Sequence, residues 1–166
     1  GSAWHLDAEH MNLLAGTKIL HAPFNGFGPM VPAVVSGQVQ MALIPYQYIM
    51  PMLTARKVKI LGLMGTDPRA IALAPPGLQQ IKEILPEFEQ GPSWIGIGGP
   101  AGLPRPIVMR MNQAVNKAIN QPKVQEVFAP QRSLIAGSTP EEFAERIRHD
   151  YELSQKIVKN AGIPLE

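Results

Sequence analysis

Residues 18–45 most constrain the fold of this chain, because they predict a strand, a turn, a short helix and a second strand in succession. The four pieces are the apolar run 18–22, the turn 25–28 (NGFG), a helix over 29–36 and the apolar run 39–44. Gly and Asn suit the turn because they tolerate positive φ, and proline at the helix start loses no hydrogen bond. Two apolar strands joined through a helix lie parallel, so this stretch predicts an α/β fold.

The carboxyl ends of these two predicted strands are where an open α/β sheet binds its ligands. Residues 22–25 (APFN) and 44–46 (IPY) occupy those ends. Neither segment offers a nucleophile or an acid–base pair, which favours binding over catalysis. We therefore expect no catalytic residue, no cofactor and no metal site, and we predict that the chain is not an enzyme.

The rest of the chain alternates predicted helices with apolar extended runs, which extends the predicted architecture to a parallel-rich sheet flanked by helices. Helices are predicted over 4–15, 46–56, 79–85, 106–120, 122–128 and 139–160, with strands over 58–64 and 93–97 and irregular backbone over 66–80. The last helix has the clearest start, since Thr139, Pro140 and Glu142 form a capping-box pattern.

Helical spacing also predicts which side chains of the first and last helices face inward. The first helix places Trp4, Ala8, Met11 and Ala15 on one face. The last helix places inward Phe143, Ile147, either Tyr151 or Leu153, and the pair Ile157 and Val158. We expect these two faces to be buried.

Composition argues against several classes of protein and of binding site. Hydrophobic residues make up 45% of the 166 residues and charged residues only 17%, so the chain can bury a core. The net charge is +2 and basic residues are scattered, which argues against a nucleic-acid surface. With no cysteine, disulfides and thiolate metal sites are excluded. No apolar run is long enough to span a membrane.

Two small motifs are candidates for binding sites. His5 and His10 are five residues apart on a helix and do not share a face, so they do not predict a metal site. Gly1 and Ser2, by contrast, place backbone N–H groups and a hydroxyl at a helix start, where a carboxylate can bind. An ordinary N-cap explains the same two residues, and the residues alone leave both interpretations open.

Six short motifs, in order and at the right spacing, resemble the second half of the Bug (TctC-like) receptors of tripartite tricarboxylate transporters. The motifs are residues 1–6 (GSAWHL), 21–29 (HAPFNGFGP), 36–40 (SGQVQ), 100–104 (PAGLP), 111–118 (MNQAVNKA) and 139–143 (TPEEF). The resemblance extends over essentially the whole chain. It implies a type II periplasmic-binding-protein-like fold with two lobes and a small carboxylate held between them.

The resemblance also implies which residues line the ligand cleft. They are Gly1, Ser2, Ala3, His5, Pro23, Phe24, Ile44, Pro45 and Tyr46. Ile44 stands where the family commonly has an aspartate, which removes an acceptor for an amino or hydroxyl group. We therefore expect a ligand without an ammonium group.

The family comparison also implies a division of the chain. Residues 1–90 resemble most of lobe two, and residues 91–166 resemble the return segment that normally packs on lobe one. The second lobe would then be incomplete, and the return segment would expose apolar surface. It would pack back on residues 1–90, pair with a second copy, or be covered by further polypeptide.

These expectations together predict a periplasmic receptor component that captures a small carboxylate and works with membrane transporter subunits, without nucleic acid. One alternative is the effector-binding domain of a transcription regulator with the same fold. The other is an enzyme on a binding-protein-like fold, which would need an acid–base pair at the cleft.

Overall fold

Helices carry most of the regular backbone in the computed structural model, which describes residues 2–65 and 67–163. They are α1 (Ala3–Ala15), α2 (Phe27–Val35), α3 (Tyr46–Thr54), α4 (Pro68–Leu73), α5 (Ile81–Ile84), α6 (Arg105–Ile119), α7 (Pro122–Phe128) and α8 (Pro140–Ala161). A 3₁₀ turn, Ala129–Gln131, follows α7. The predicted helices are confirmed with small shifts at their ends, whereas α4 lies in a segment that was predicted to be irregular.

The ends of α8 follow from local chemistry. The Thr139 hydroxyl accepts a hydrogen bond from the Glu142 N–H at 3.2 Å, and the Glu142 carboxylate accepts one from the Thr139 N–H at 2.8 Å. Gly162 ends the helix at φ 63°, a conformation that glycine adopts without strain. The predicted capping box is therefore confirmed.

The predicted parallel-rich sheet is not formed, and this part of the fold prediction was wrong for the described residues. Their β pairing consists of one isolated parallel bridge between Leu63 and Gln80. The predicted strands 18–22, 39–44 and 93–97 have no regular strand structure. A helix completes its backbone hydrogen bonds within itself, but a strand needs a neighbour, and the apolar pattern of a strand does not specify one.

The core lies where α1 and α8 pack together around the loop that contains Phe88. Phe88 is 0% exposed and contacts the ring of His10, with centroids 5.5 Å apart. Leu6 and Ile157 are also buried. Because α8 lies on α1, the C-terminal segment packs against the N-terminal one in this structure.

The predicted inward faces of α1 and α8 are confirmed only in part: Ile157 is buried and Phe143 is half-buried, but three of the buried positions are polar. On α1 the buried residues are Leu6, Asp7 and Asn12, and Ala15 is exposed. On α8 they are Asp150 and Ile157, whereas Ile147 and Tyr151 are exposed. Hydrophobic spacing does not predict the burial of Asp7 and Asp150, because their partners Gly91 and Trp94 lie far away in the sequence.

Two buried carboxylates help to set which faces of α1 and α8 point inward. Asp7 is 2% exposed and accepts a hydrogen bond from the Gly91 N–H at 2.7 Å. Asp150 is 1% exposed and accepts hydrogen bonds from Trp94 Nε1 at 2.7 Å and Arg146 Nε at 2.9 Å. Buried polar groups are stable only with such partners, so these bonds fix how α1 and α8 face the connecting loop.

Within residues 2–65 and 67–163, no helix is both long and apolar enough to cross a membrane. The same residues contain no cluster of three or more His, Asp or Glu side chains that could hold a metal ion.

Candidate ligand-binding site

The start of α1 is the first part of the candidate site. Ser2 has extended backbone (φ −75°, ψ 161°), and its hydroxyl accepts a hydrogen bond from the His5 N–H at 3.4 Å. Ala3 is the first residue of the helix. The predicted site residue Gly1 lies outside the described residues. Ser2 is therefore an N-cap, as the sequence predicts, and its hydroxyl proton can still be donated to a ligand.

The second part is a pair of stacked imidazoles, which the sequence did not predict. The rings of His5 and His21 lie 3.8 Å apart between centroids, with 10° between their planes. This contact brings the predicted loop 22–24 to the first turn of α1. The pairing could not be read from the sequence because the two residues are sixteen positions apart and belong to different elements.

The charge state of His5 follows from its surroundings. Burial lowers the pKa of His5 and the neighbouring His21 lowers it further, while the Glu9 carboxylate, 3.7 Å from His5 Nε2, opposes them. The net shift is downward, which favours a neutral His5 imidazole near pH 7. A neutral imidazole has one donor and one acceptor, and in His5 the Nε2 atom already faces Glu9.

The remaining predicted site residues follow two extended segments. Pro23 is exposed and Phe24 is half-buried. Ile44 and Pro45 are half-buried, and Pro45 is the N-cap of α3. Tyr46 is the first residue of α3.

An aromatic chain links the three helices that carry these segments. Trp4 of α1 contacts Phe27 of α2 edge-on, with ring centroids 5.8 Å apart. Phe27 in turn contacts Tyr48 of α3 at 4.7 Å. The starts of the three helices are thus joined on one side of the molecule, next to the predicted ligand-binding segments.

Tyr46 has a partner that the sequence did not reveal. The guanidinium carbon of Arg132 lies 5.4 Å from the centroid of the Tyr46 ring. Arg132 Nη1 also donates a hydrogen bond to the Leu73 carbonyl at 2.6 Å. Arg132 adopts φ 51°, a left-handed conformation uncommon for a residue other than glycine. No local motif marks an arginine for this conformation or for contact with Tyr46.

Comparison with known proteins identifies the class of fold and then the family. Over 98% of this chain and 53% of the other, the fold matches the solved structure of R. palustris Rpa4515 with adipate, with a TM-score of 0.80 and 25% identity. The fold is thus a binding-protein fold. The model of the family described as "Tripartite tricarboxylate transporter family receptor" matches residues 1–163. The chain belongs to this receptor family, as its motifs predicted.

Curated relatives agree with that assignment. The chain is 31% identical over 163 residues to the UPF0065 protein in the tcbD-tcbE intergenic region of Pseudomonas sp. strain P51, covering 95% of this chain and 46% of that protein. It is 25% identical over 166 residues to protein BugT of Bordetella pertussis, covering 100% of this chain and 50% of that protein. The chain thus spans about half the length of these two relatives.

Proposed function

We propose that this chain is the ligand-binding part of a periplasmic receptor that captures a small carboxylate for a tripartite tricarboxylate-type transporter. Membership of the receptor family supports this proposal, as does the likeness to a protein whose structure contains adipate. The receptor as a whole would have the two lobes of a type II periplasmic binding protein, with its transporter's membrane subunits as partners.

The structural observation that carries the proposal is the arrangement at the start of α1. The Ser2 hydroxyl and the first turn of the helix lie beside the stacked His5 and His21 rings. The N–H groups at a helix start and the positive end of its dipole attract a carboxylate, and the Ser2 hydroxyl adds a donor of a hydrogen bond. Ala3, Pro23 and Phe24 would form the adjoining wall.

Calorimetric titration with a panel of small carboxylates, including adipate, tests this proposal. We expect saturable one-to-one binding of at least one acid and a rise in melting temperature at saturation, since ligand binding to the native state stabilises it. No heat and no thermal shift with any acid in the panel would contradict the proposal.

Matched serine variants locate the site. Ser2→Ala removes the cap at the predicted site, and Ser36→Ala removes a hydroxyl that donates to the Ala33 carbonyl at the end of α2. We expect Ser2→Ala to weaken carboxylate binding and Ser36→Ala to leave it unchanged. Equal effects of the two substitutions would move the site away from α1.

Ile44 would set the choice of ligand, together with Pro45 at the same rim. A half-buried apolar side chain gives an ammonium group no acceptor, so we propose that the ligand is an acid without an ammonium group. We expect Ile44→Asp to weaken binding of a plain dicarboxylate and to favour an amino acid. Ordinary affinity of the unaltered receptor for aspartate would contradict this assignment.

The exposed extended segments support a further part of the proposal. Leu20 is 90% exposed, and Ile95 and Ile97 are also largely exposed on residues 91–166. We propose that the extended segments with these exposed residues are edge strands in the sheets of the two-lobed receptor. Residues 1–90 would belong to lobe two, and residues 91–166 would return to lobe one. Further polypeptide of the receptor would cover these edge strands.

Without that cover, the same apolar edges would drive self-association. Sedimentation analysis of this chain over a range of concentrations tests the idea. We expect dimers or larger species to increase with concentration. A monomer at every concentration would contradict self-association through these edges.

A further inference from the structure

A cavity of about 380 Å³ lies between α3, α4 and the 3₁₀ turn after α7. Its volume falls in the range typical of small-molecule sites. Arg132 and Tyr46 meet at its wall, and the apolar part of the lining includes Met50, Leu73, Ala129 and Pro130. Among the described residues that line this cavity, Arg132 is the only charged one.

Two local contacts hold the Arg132 side chain in place. Its guanidinium stacks over Tyr46, and its Nη1 donates to the Leu73 carbonyl. The backbone of Arg132 adopts the left-handed conformation. Stacking on an aromatic ring and a fixed hydrogen bond restrict the rotamers of a long side chain before any ligand arrives. Such preorganisation reduces the entropy lost on binding.

The Arg132 guanidinium retains donors for a ligand. It has five N–H bonds, and one is directed at Leu73. Four other arginines, Arg69, Arg105, Arg146 and Arg148, pair with a carboxylate of the chain. Within residues 2–65 and 67–163, Arg132 forms no such ion pair, so no carboxylate of these residues neutralises its charge.

We propose that Arg132 binds a carboxylate of the ligand and that the apolar wall of this cavity takes the ligand's hydrocarbon body. This inference rests on the proposed function, and it adds Arg132 next to Tyr46, the residue that this cavity shares with the proposed ligand cleft. A single guanidinium with apolar walls suits a group of one negative charge, since a phosphate carries nearly two and demands more donors.

Glycine variants at two arginines test the proposal with a close match. Arg132 and Arg56 are both exposed arginines with positive φ, at 51° and 56°. Glycine adopts this conformation without backbone strain at either position. Arg132→Gly also loses the contacts with Tyr46 and Leu73, so the melting temperature of each variant is measured alongside its binding. Binding and folding can therefore be separated in the same two proteins.

The receptor and both variants are titrated with adipate as the probe and then with inorganic phosphate. We expect Arg132→Gly to weaken adipate binding by about tenfold or more, the typical value of a charge-assisted hydrogen bond, while Arg56→Gly binds normally. Arg132→Lys should also weaken binding, because lysine lacks the planar fork. Phosphate should bind more weakly than adipate.

Three other outcomes would contradict the inference about Arg132, the ligand class or the proposed function. If the unaltered receptor binds adipate and Arg132→Gly binds it equally well, the inference about Arg132 fails while the proposed function stands. If phosphate binds more tightly than adipate and depends on Arg132, the ligand class is wrong. If the unaltered receptor binds neither adipate nor any acid of the carboxylate panel, the proposed function fails and the inference fails with it.

Discussion

Two regions of this molecule bury their apolar side chains to very different extents. Around Phe88, the helices α1 and α8 and the loop between α5 and α6 bury a small core that includes two hydrogen-bonded carboxylates. In residues 17–24 and 93–97, Leu20 and Ile95 project into solvent from backbone without regular strand pairing. Helices need only a surface to pack on, whereas strands also need a partner for their backbone.

Residues 93–97 show how far a strand can form without that partner. Trp94 packs edge-on against Phe143 of α8, with ring centroids 4.7 Å apart, and Gly96 lies against the same phenyl ring. Ile95, between Trp94 and Gly96, faces outward, and so does Ile97, which follows Gly96. This alternation is the side-chain pattern of a strand with one face covered.

The largest expected contrast comes from truncating an apolar side chain in each region. Phe88→Ala leaves a cavity at a site with 0% exposure and should lower the free energy of unfolding by about 3–5 kcal/mol. Ile95→Ala removes a side chain that contacts mainly solvent and should change it by about 0.5 kcal/mol or less. Urea denaturation measures both. Similar losses in the two variants would show that Ile95 is buried in solution.

A pair of glycine substitutions tests the covered face of residues 93–97. A Cβ at Gly96 would overlap the Phe143 ring, whereas one at Gly98 meets no atom within 4 Å. Gly96→Ala should therefore cost about 1–3 kcal/mol, because Phe143 must leave its contact with Trp94. Gly98→Ala should be neutral or slightly stabilising. Equal stability of the two variants would mean that this segment does not lie on α8.

The two core carboxylates should respond to pH in opposite directions. Burial raises the pKa of Asp7 above its ordinary 3.8 despite its hydrogen bond from Gly91. The native state then holds this proton more tightly than the unfolded state. The stabilisation from Asp7 is therefore full below pH 3.8 and is lost as pH rises through the raised pKa.

Asp150 behaves in the reverse sense. Burial acts to raise its pKa, but hydrogen bonds from Arg146, Trp94 and His149 outweigh burial and lower the pKa below 3.8. Its contribution is present above pH 3.8 and is lost as pH falls through the lowered pKa. Unfolding curves from about pH 3 to 7 should show the penalty of Asp150→Asn growing with pH and that of Asp7→Asn shrinking. Parallel pH profiles for the two variants would contradict these assignments.

The same contrast explains what the sequence could predict. Helix ends depend on neighbours a few residues away, so the Thr139 capping box and the end of α1 at Gly16 were predicted correctly. The start of α4 was not predicted because Asp67 and Pro68 also suit a turn, whereas in the structure Asp67 caps the helix through the Arg69 N–H. Strand pairing and the burial of Asp7 depend on distant partners, so the predicted pairing was wrong and the burial was not predicted.

The residues of the candidate site also fall into those that the sequence suggested and those that only the structure brings together. Ser2 and His5 were predicted because a helix start is visible in sequence and because the family motif contains them. The stacking of His21 on His5 and the contact of Arg132 with Tyr46 join residues 16 and 86 positions apart. Nothing in the local pattern of either pair reveals the other member.

Hydrogen exchange of the backbone amides tests the central claim most directly, namely that the helical core is self-sufficient while the extended segments have no strand partner. We predict strong protection in the middle of α1 and α8, and exchange close to that of an unfolded chain across residues 20–22 and 93–97. Protection of residues 93–97 equal to that of α8 would contradict the claim, because it would require a backbone partner for that segment.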